Sequence, residues 1–276
     1  MQAPHPDWLR PDWPAPARVQ ALCTTRAGGC SRAPFDSMNL GDHVGDDPQA
    51  VQANRQRLQA ALRGVRPVFL QQVHGTQVVD LLPGLADGAV ADACVSTTPG
   101  LACTIMVADC LPLLLTNRQG TVVAAAHAGW RGLAGEGGQG VIETVFKTFS
   151  AQTLSHQAQA ATQSIASGVA GQTLAWLGPC IGPQAFEVGP EVRDAFCAHD
   201  AAAAQHFSEH APGKFLANLA ALARQRLQAL GIAQVYGNDG SPRWCTVSQP
   251  SRFFSHRRDS RALGGSGRMA TCIWLD

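Results

Sequence analysis

The sequence carries almost no net charge: the formal charge of its 276 residues is +1. This balance excludes the broad positive surface on which binding to DNA, RNA or an anionic membrane depends, so we expect no nucleic-acid or membrane partner. Lysine is also nearly missing, with only Lys147 and Lys214, and arginine supplies the remaining positive charge. Arginine side chains favour fixed, planar contacts with anions. Biased genomic composition is nevertheless the simpler explanation of the high number of arginines.

Long apolar runs are absent too. The longest, at residues 111–115, is far shorter than the roughly 20 residues of a membrane-spanning helix. Residues 1–16 are rich in proline and tryptophan and lack the apolar stretch of a secretion signal. The sequence therefore predicts a cytoplasmic protein.

The sequence also lacks the cysteine pattern of a disulfide-bonded protein. The nine cysteines are odd in number, irregularly spaced and partly placed in strand-like apolar runs. This pattern is typical of reduced thiols in a cytosolic protein, most of them small buried core residues. Because 45% of the residues are apolar and only 15% are charged, the chain can bury a sizeable core.

Strands and helices mix along the chain without strict alternation, and no internal repeat is visible. The nearly continuous apolar runs 101–107, 112–115 and 122–126 predict strands buried on both faces, within a sheet that helices cover on each side. The other predicted strands are 19–25, 68–72, 76–82, 174–177 and 268–275, and the predicted helices are 48–62, 133–149, 189–198 and 214–230. We therefore predict an α/β fold, a layered α/β/α arrangement with a mixed sheet.

The length fits a single domain, which we expect to span residues 1–276. Residues 151–172 are poor in large apolar groups and rich in Ala, Gln and Ser. Such a composition gives a helix or strand little to bury against the core. We predict a surface insertion there.

Three short segments share one design, in which an apolar strand ends and a possible metal ligand follows. They are residues 71–75 with His74, residues 108–112 with Cys110, and residues 126–132 with His127. Glycines next to both histidines allow sharp turns and the close approach of another group. Two imidazoles and a thiolate suit zinc, and three protein ligands leave a fourth position open, as in catalytic zinc sites.

Each of these residues also has a simpler interpretation. A histidine in a turn is usually only hydrogen-bonded, and a cysteine in an apolar run usually belongs to the core. The spacing matches no metal motif of the C-x-x-C kind. From the residues alone, zinc binding is therefore one hypothesis beside ordinary packing.

The same segments resemble a known family. The strings QVHG at 72–75, ADCLP at 108–112 and HAGWRG at 127–132 are similar to those of the YfiH/YlmD-type laccase-domain family. Its members have been described as polyphenol oxidases and as purine nucleoside phosphorylases with adenosine deaminase side activity. The resemblance continues through residues 37–41, 177–183, 186–189, 215–219 and 254–259, and so covers about 25–271.

This resemblance implies a catalytic zinc bound by His74, Cys110 and His127. The sequence departs from the expected pattern at Cys30, Met38 and Cys180, none of which is a proposed ligand.

The implied reaction is phosphorolysis, a glycosyl transfer in which a purine nucleoside and phosphate give the free base and ribose 1-phosphate. The implied substrates are adenosine, inosine, guanosine and methylthioadenosine, and adenosine deamination is a further expected, hydrolytic activity. We expect catalysis to involve Cys110, with Arg26 and Arg131 each offering a fork to phosphate from a glycine-rich turn. The alternative for each arginine is an ordinary surface position. Asn39 and His43, in a polar loop, are expected to reach the sugar or the base.

Carboxylates near the motifs have two possible roles. Glu187 or Asp109 would be the general acid and base of a deamination, or would orient a ligand histidine from outside. Residues 257–259, Arg-Arg-Asp, are predicted to form an ion-pair cluster that is structural rather than catalytic.

Other functions remain open at this point. A copper-dependent polyphenol oxidase is one, although none of the nine histidines forms the His-x-His pairs of a multicopper centre; copper at the zinc ligands could give weak oxidase activity in vitro. A cysteine hydrolase or deamidase is another, with Cys110 as nucleophile and His127 as base. A non-catalytic protein with a structural zinc is disfavoured by the missing fourth ligand. We expect a monomer or a small homo-oligomer.

Overall fold

The computed structural model describes residues 3–159 and 168–276. Its strands are β1 Val19–Cys23, β2 Arg66–Val68, β3 Val78–Asp80, β4 Ala93–Ser96, β5 Leu101–Val107, β6 Leu111–Asn117, β7 Val123–Ala128, β8 Thr173–Leu177, β9 Glu187–Val188, β10 Phe207–Ala211, β11 Lys214–Ala217, β12 Gln234–Gly237 and β13 Met269–Leu275. Its α-helices are α1 Pro48–Ala61, α2 Trp130–Ala134, α3 Val141–Gln159, α4 Pro190–Cys197, α5 Leu219–Ala229 and α6 His256–Leu263. Short 3-10 helices cover Val169–Gln172, Ala201–His206 and Pro242–Trp244.

The first sheet joins the two ends of the described chain. Its strand order is β1–β13–β5–β2, with β13 antiparallel to both β1 and β5, and β2 parallel to β5. Val19 faces Leu275 across one pair, and Met269 faces Val107 across the other. Every residue of β13 is buried, so this strand lies inside the sheet and inside the core.

The second sheet has the order β12–β8–β6–β7–β4–β3. Strand β6 is antiparallel to β7 and β8, and β4 is antiparallel to β7, whereas β12–β8 and β3–β4 are parallel pairs. Strands β5, β6 and β7 are buried along their whole length, as their continuous apolar runs predict. Strands β10, β11 and β9 form a smaller antiparallel sheet.

The two large sheets stack face to face, and helices cover their outer faces. An apolar layer that includes Ile105 and Leu114 fills the space between the sheets. The outer face of the second sheet packs on α3 and α5, for example through Val145 and Leu222, and the outer face of the first sheet packs on α1 through Leu58. The predicted α/β class, single domain and mixed sheet are confirmed, and the β layer between the helices is double.

Helix α1 begins and ends as its sequence predicts. The side chain of Asp47 accepts a hydrogen bond of 2.9 Å from the backbone N–H of Gln49, and Pro48 occupies the first turn. Its buried face includes Val51, Asn54 and Leu58.

The helix predicted at 214–230 starts later than expected. Residues 214–217 are strand β11, which turns back on β10 through Gly213, a residue with a φ of +67°. The helix begins at Leu219 because the side chain of Asn218 accepts a hydrogen bond from the N–H of Ala221. Residues 214–217 are apolar enough to continue the helical pattern of 219–230, so the sequence places the start of the helix too early.

The helix predicted at 133–149 is divided into α2 and α3. Gly135, Gly137 and Gly138 between them have φ values of +64°, +56° and +79°, which no right-handed helix can contain. Residues 151–159 extend α3, and Val169–Gln172 form a 3-10 helix. The insertion predicted at 151–172 stays a prediction, because residues 160–167 lie outside the described part of the chain. Among the described helices, none is long and apolar enough to cross a membrane.

Candidate metal centre and cavity

The three predicted ligands meet at one edge of the stacked sheets. His74 lies on the connection from β2 to β3 and Cys110 on the connection from β5 to β6, and both connections pass from the first sheet to the second; His127 lies in β7. Their possible ligand atoms all lie within 4.8 Å of one another. Within residues 3–159 and 168–276 this is the one group of His, Cys, Asp and Glu side chains placed to hold a metal ion.

The three side chains of the cluster differ in solvent exposure. His127 is buried, Cys110 is half-buried and His74 is exposed. The Sγ atom of Cys110 lies 3.6 Å from Nε2 of His74. The two imidazole rings meet edge to face, with 4.7 Å between their centroids. The donors therefore converge from one buried side and one solvent side.

Asp92 organises this cluster, and the sequence analysis missed it. Its carboxylate is fully buried; Oδ1 lies 2.8 Å from Nδ1 of His127 and accepts a hydrogen bond of 2.9 Å from the N–H of His74. Its Oδ2 accepts from the N–H groups of Val73 at 3.1 Å and Gly75 at 2.7 Å. Burial would raise the pKa of Asp92, but His127 and these N–H groups hold it below its usual value. One carboxylate thus fixes both candidate ligand histidines.

The turns that present His74 and Cys110 are conformationally strained. His74 has a φ of +60° and the neighbour of Cys110, Asp109, has a φ of +87°, both rare for residues other than glycine. The Asp109 carboxylate accepts hydrogen bonds of 2.5 Å from Oγ1 of Thr246 and 2.6 Å from the N–H of Arg257. These contacts stabilise the turn that presents Cys110. Neither of them reaches a histidine, so the two roles expected of Asp109 stay predictions.

The thiol and the buried imidazole shift each other's protonation. Burial alone would raise the pKa of Cys110, but the charges and hydrogen bonds of His127 and His74 outweigh it and lower that pKa to about 6. Burial would lower the pKa of His127, whereas Cys110 and Asp92 raise it to about 9. Near neutral pH the metal-free pair is therefore thiolate and imidazolium, and the thiolate is the form of cysteine that binds metals.

These residues fit a transition-metal ion. Because Nδ1 of His127 contacts Asp92, its Nε2 is left for a metal, and a carboxylate behind a ligand histidine is the usual outer support of such sites. One sulfur and two imidazole nitrogens suit zinc or copper. All three ligands line the same cavity, so the open side of the cluster faces it.

Two glycines of the segment 127–132 make room for the cluster. A Cβ atom on Gly129 would come within 2.7 Å of Cδ2 of His74 and 3.1 Å of Sγ of Cys110. A Cβ atom on Gly132 would come within 2.6 Å of the carbonyl oxygen of Gly75. Both positions require glycine because another chain segment passes there, as the sequence predicts.

The cavity beside the cluster has a volume of about 890 Å³, within the range typical of sites for small molecules. Its apolar lining includes Phe69, Met106, Trp130, Ile181, Phe186 and Leu219. Its charged and titratable lining, besides the three ligands, consists of Asp42, His43, Arg55, Asp87, Asp109, His256, Arg257 and Arg268. An apolar wall facing a few polar groups suits a flat aromatic ligand that carries polar substituents.

The two arginines predicted to bind phosphate are not part of the cavity lining. Arg26 donates to backbone and carboxylate oxygens of Asp36 and to the carbonyl oxygen of Pro250. Arg131 is exposed, with its guanidinium 4.4 Å from the ring centre of Trp130. Their phosphate-binding roles stay predictions that these positions do not favour.

Asn39 and His43 lie in different surroundings. Asn39 is fully buried, and its amide contacts Gly41, Asp46 and the backbone N–H of Arg268, so it shapes the loop and leaves no group for a substrate. His43 is exposed and lines the cavity, where a substrate could reach it. The structure thus brings His43, but not Asn39, to the site.

The remaining charged motif residues separate into structural and cavity-lining groups. Arg258 and Asp259 form an ion pair of 2.7 Å, as predicted for the cluster at 257–259. Arg257 instead lines the cavity and donates to the carbonyl oxygen of Glu187. The Glu187 side chain is exposed, lies 3.8 Å from His210 and is not part of the cavity lining.

Sequence reasoning also missed Arg55, Arg268 and His256, which line the cavity. Arg55 lies on α1, Arg268 precedes β13, and His256 begins α6, so three separate segments of sequence contribute. No local motif connects them. For Asp92, the one available signal is an acidic residue directly before the buried strand β4.

The chain is similar along nearly its whole length to proteins of known family. The family model described as multi-copper polyphenol oxidoreductase laccase matches residues 20–276. A purine nucleoside phosphorylase of Pseudomonas aeruginosa is 52% identical over 270 residues, covering 97% of this chain and 98% of that protein. The purine nucleoside phosphorylase YfiH of Escherichia coli is 47% identical over 266 residues, covering 96% and 97%.

Solved structures give the same result for the fold. A crystal structure of a Neisseria meningitidis protein has a TM-score of 0.80 and 44% identity, covering 98% of this chain and 99% of that chain. The crystal structure of YlmD from Geobacillus stearothermophilus has a TM-score of 0.78 and 28% identity, covering 100% and 98%. Sequence and structure agree: the chain belongs to the YfiH/YlmD-type family of laccase-like domains.

Proposed function

We propose that this protein is a zinc-dependent purine nucleoside phosphorylase. The observation that carries the proposal is the His74–Cys110–His127 cluster, which has three donors and opens onto a cavity of about 890 Å³. Relatives 47–52% identical to this chain are named purine nucleoside phosphorylases. Adenosine, inosine, guanosine and methylthioadenosine are the proposed substrates, and adenosine deamination is a proposed side activity.

The donor set supports zinc as the resident metal. A thiolate with two imidazoles is a common zinc environment, and three protein ligands are typical of catalytic rather than structural zinc. When bound, zinc supplies a Lewis acid that stabilises developing negative charge or activates a water molecule. The Asp92–His127 contact of 2.8 Å orients the ring for such a metal.

The protein's own residues would bind and orient the nucleoside. Phe69, Met106, Trp130 and Phe186 offer apolar surface to the purine and exclude water from it. His43 and the ring of His256 are imidazoles of the cavity outside the cluster, suited to contact sugar hydroxyls or to give a proton to the departing purine. The glycosidic bond breaks with positive charge developing on the sugar, which a bound phosphate would stabilise.

The test combines metal analysis with a defined assay. Protein purified without added metal is analysed for zinc and copper by mass spectrometry, and adenosine is then assayed with and without phosphate. We expect about one zinc per chain, and adenine release that needs phosphate and is lost in Cys110→Ala. Metal-free protein that releases adenine at the same rate would contradict the proposal.

Two other functions have an observation in their favour. The family model's description favours copper-dependent oxidation of phenols; it predicts copper in the purified protein and phenol oxidation faster than phosphorolysis. The lowered pKa of Cys110 beside His127 favours a cysteine hydrolase or deamidase; it predicts amide hydrolysis by metal-free protein and its loss on alkylation. The same preparations distinguish all three.

We also propose a cytoplasmic location and small-molecule partners, a nucleoside and phosphate. All nine cysteines are unpaired, as expected in a reducing compartment. A monomer or small homo-oligomer is proposed, which light scattering would test.

A further inference from the structure

Arg268 and Arg257 are the two cavity arginines that form no ion pair with a carboxylate in the described part of the chain, and Arg268 is the less exposed of the two. Its Nη1 donates to the carbonyl oxygens of Ser266 at 2.8 Å and Gly267 at 3.2 Å. None of the ion pairs in the described part of the chain includes it. Burial lowers its pKa, and the nearest negative charges that act against this are Cys110 and Asp109. A guanidinium placed this way has Nε and Nη2 free for an anion from outside.

The polar loop 39–43 holds Arg268 in place. The backbone N–H of Arg268 donates a hydrogen bond of 2.8 Å to Oδ1 of Asn39. A Cβ atom on Gly41 would come within 2.8 Å of Cγ of Arg268 and 3.4 Å of Cε1 of His43, so this glycine allows the arginine stem to lie against the loop. The guanidinium is therefore fixed before any ligand arrives, which lowers the entropy cost of binding.

Neighbouring groups complete the surroundings of Arg268. Arg55 stacks on the ring of Phe69 at 4.0 Å, and its Nη2 pairs with Oδ2 of Asp42 at 3.1 Å, so this cation already has a carboxylate partner. Burial and the charge of Arg268 lower the pKa of His43, which leaves a neutral ring able to donate or accept one hydrogen bond. Arg268, unlike Arg55, thus has no carboxylate partner, and it lines the same cavity as Cys110.

We propose that Arg268 is the anchor of an oxyanion subsite, with His43 and Arg55 beside it, that takes the phosphate group of the reaction. The inference rests on the proposed function and locates its second substrate. A phosphate oxygen forms a bond to C1′ of the sugar, the bond from C1′ to the purine nitrogen breaks, and its electron pair leaves with the purine, which gains a proton. No oxidant or reductant is needed.

The proposal differs from the sequence-based one, in which Arg26 and Arg131 bind phosphate. Both of those side chains lie outside the cavity lining, and the hydrogen bonds of Arg26 are taken by Asp36 and Pro250. Arg257 lines the cavity but is exposed and donates to the carbonyl oxygen of Glu187. Arg268 alone among these combines burial, a fixed backbone and free donors.

The experiment measures phosphate dependence in the zinc-loaded protein and in three variants, Arg268→Gln, Arg268→Lys and Arg131→Gln. Arg243→Gln, a change of an exposed arginine outside the cavity, is the matched control. Initial rates are measured against phosphate at fixed inosine and against inosine at fixed phosphate. The shift in Tm caused by inorganic phosphate, and separately by ribose 1-phosphate, reports the binding of each compound without turnover.

We expect Arg268→Gln to raise the KM for phosphate roughly 10- to 100-fold, because the variant loses the charged hydrogen bonds from the guanidinium to the phosphate. The KM for inosine should stay within about twofold of the wild-type value. Arg268→Lys should recover part of this loss, and both thermal shifts should vanish in Arg268→Gln but not in Arg243→Gln. An unchanged KM for phosphate in Arg268→Gln, or a rise in Arg131→Gln alone, overturns the proposal. If no preparation shows phosphorolysis, a phosphate-induced thermal shift that depends on Arg268 still supports the subsite, and a shift that is unchanged in Arg268→Gln refutes it.

Discussion

Replacing Asp92 with asparagine tests how the metal cluster is built. The carboxylate accepts on both oxygens: Oδ1 from His127 and the N–H of His74, and Oδ2 from two further N–H groups of the 73–75 turn. An amide has one oxygen and one NH₂ group. Whichever way it points, its NH₂ group meets donors, either in the turn or at Nδ1 of His127.

Because the NH₂ group of the asparagine would face other donors, both the stability of the protein and its zinc affinity should fall. Hydrogen bonds to a charged group contribute about 1.5–3 kcal/mol each, so losing part of two of them should lower the free energy of unfolding by about 2–4 kcal/mol. For a chain of this size that is a fall in Tm of roughly 4–16 °C. If the NH₂ group faces His127, Nδ1 must accept, Nε2 carries the proton, and zinc affinity should fall about 10- to 100-fold.

The assay measures zinc affinity by competition with a chelator and stability by urea unfolding of the metal-free protein. Asp259→Asn is the control, since Asp259 is also buried and accepts from Ser255 and Arg258 but lies outside the cavity lining. It should lose stability and keep zinc affinity. Zinc affinity in Asp92→Asn within twofold of wild type would refute the reasoning, even if stability fell.

The pH dependence has a defined sign. The pKa of Asp92 is held below its usual value, so its stabilisation is present above the unfolded pKa of about 3.9 and is lost as the pH falls through the lower folded value. The stability difference between wild type and Asp92→Asn should therefore be constant from about pH 5 to 6 and shrink below about pH 4. It should also shrink above about pH 6.5, because Asp92 helps to raise the pKa of His127 to about 9 and that part of the stabilisation is lost as His127 loses its proton.

Three further predictions use other parts of the molecule. In metal-free protein, alkylation of Cys110 followed by peptide mapping should rise with a midpoint near pH 6, the value to which its pKa is lowered; a midpoint near the free-thiol value of about 8.5 would contradict this. Gly129→Ala places a methyl group within 2.7 Å of the His74 ring and should reduce bound zinc well below one per chain, whereas Gly168→Ala, with nothing within 4 Å and no positive φ, should not. Asn218→Ala removes the cap of α5 and should cost about 1 kcal/mol in urea unfolding without changing zinc content.

Cys110 and His127 could be found as candidate ligands from sequence because each lies at the end of a strand that its apolar run makes visible. The runs at 101–107, 112–115 and 122–126 correspond to β5, β6 and β7, and Cys110 and His127 belong to their ends. The roles of Gly129 and Gly132 could also be predicted, because a glycine beside a candidate ligand usually indicates that another chain segment passes close to it.

The roles of the residues that hold the cluster and the cavity in place, such as Asp92 and Asn39, could not be found this way, because these residues contact others that are distant in sequence. Asp92 acts on His127 across 35 positions, and the N–H of Arg268 reaches Asn39 across 229. Local pattern also misplaced the start of α5: residues 214–217 are apolar enough for a helix, and only their pairing with β10 and β9 makes them a strand. Tertiary pairing overrides local propensity in such short stretches.

The position of β13 determines when this protein can fold during its synthesis. Met269–Leu275 lies between β1 and β5, so the first sheet has a gap until the ribosome has released these residues. Until then β1 and β5 each expose an unpaired edge, the kind of surface that aggregates or recruits chaperones. Arg268, directly before the strand, is synthesised with it, so the first sheet and the lining of the cavity both wait for the same segment of the chain.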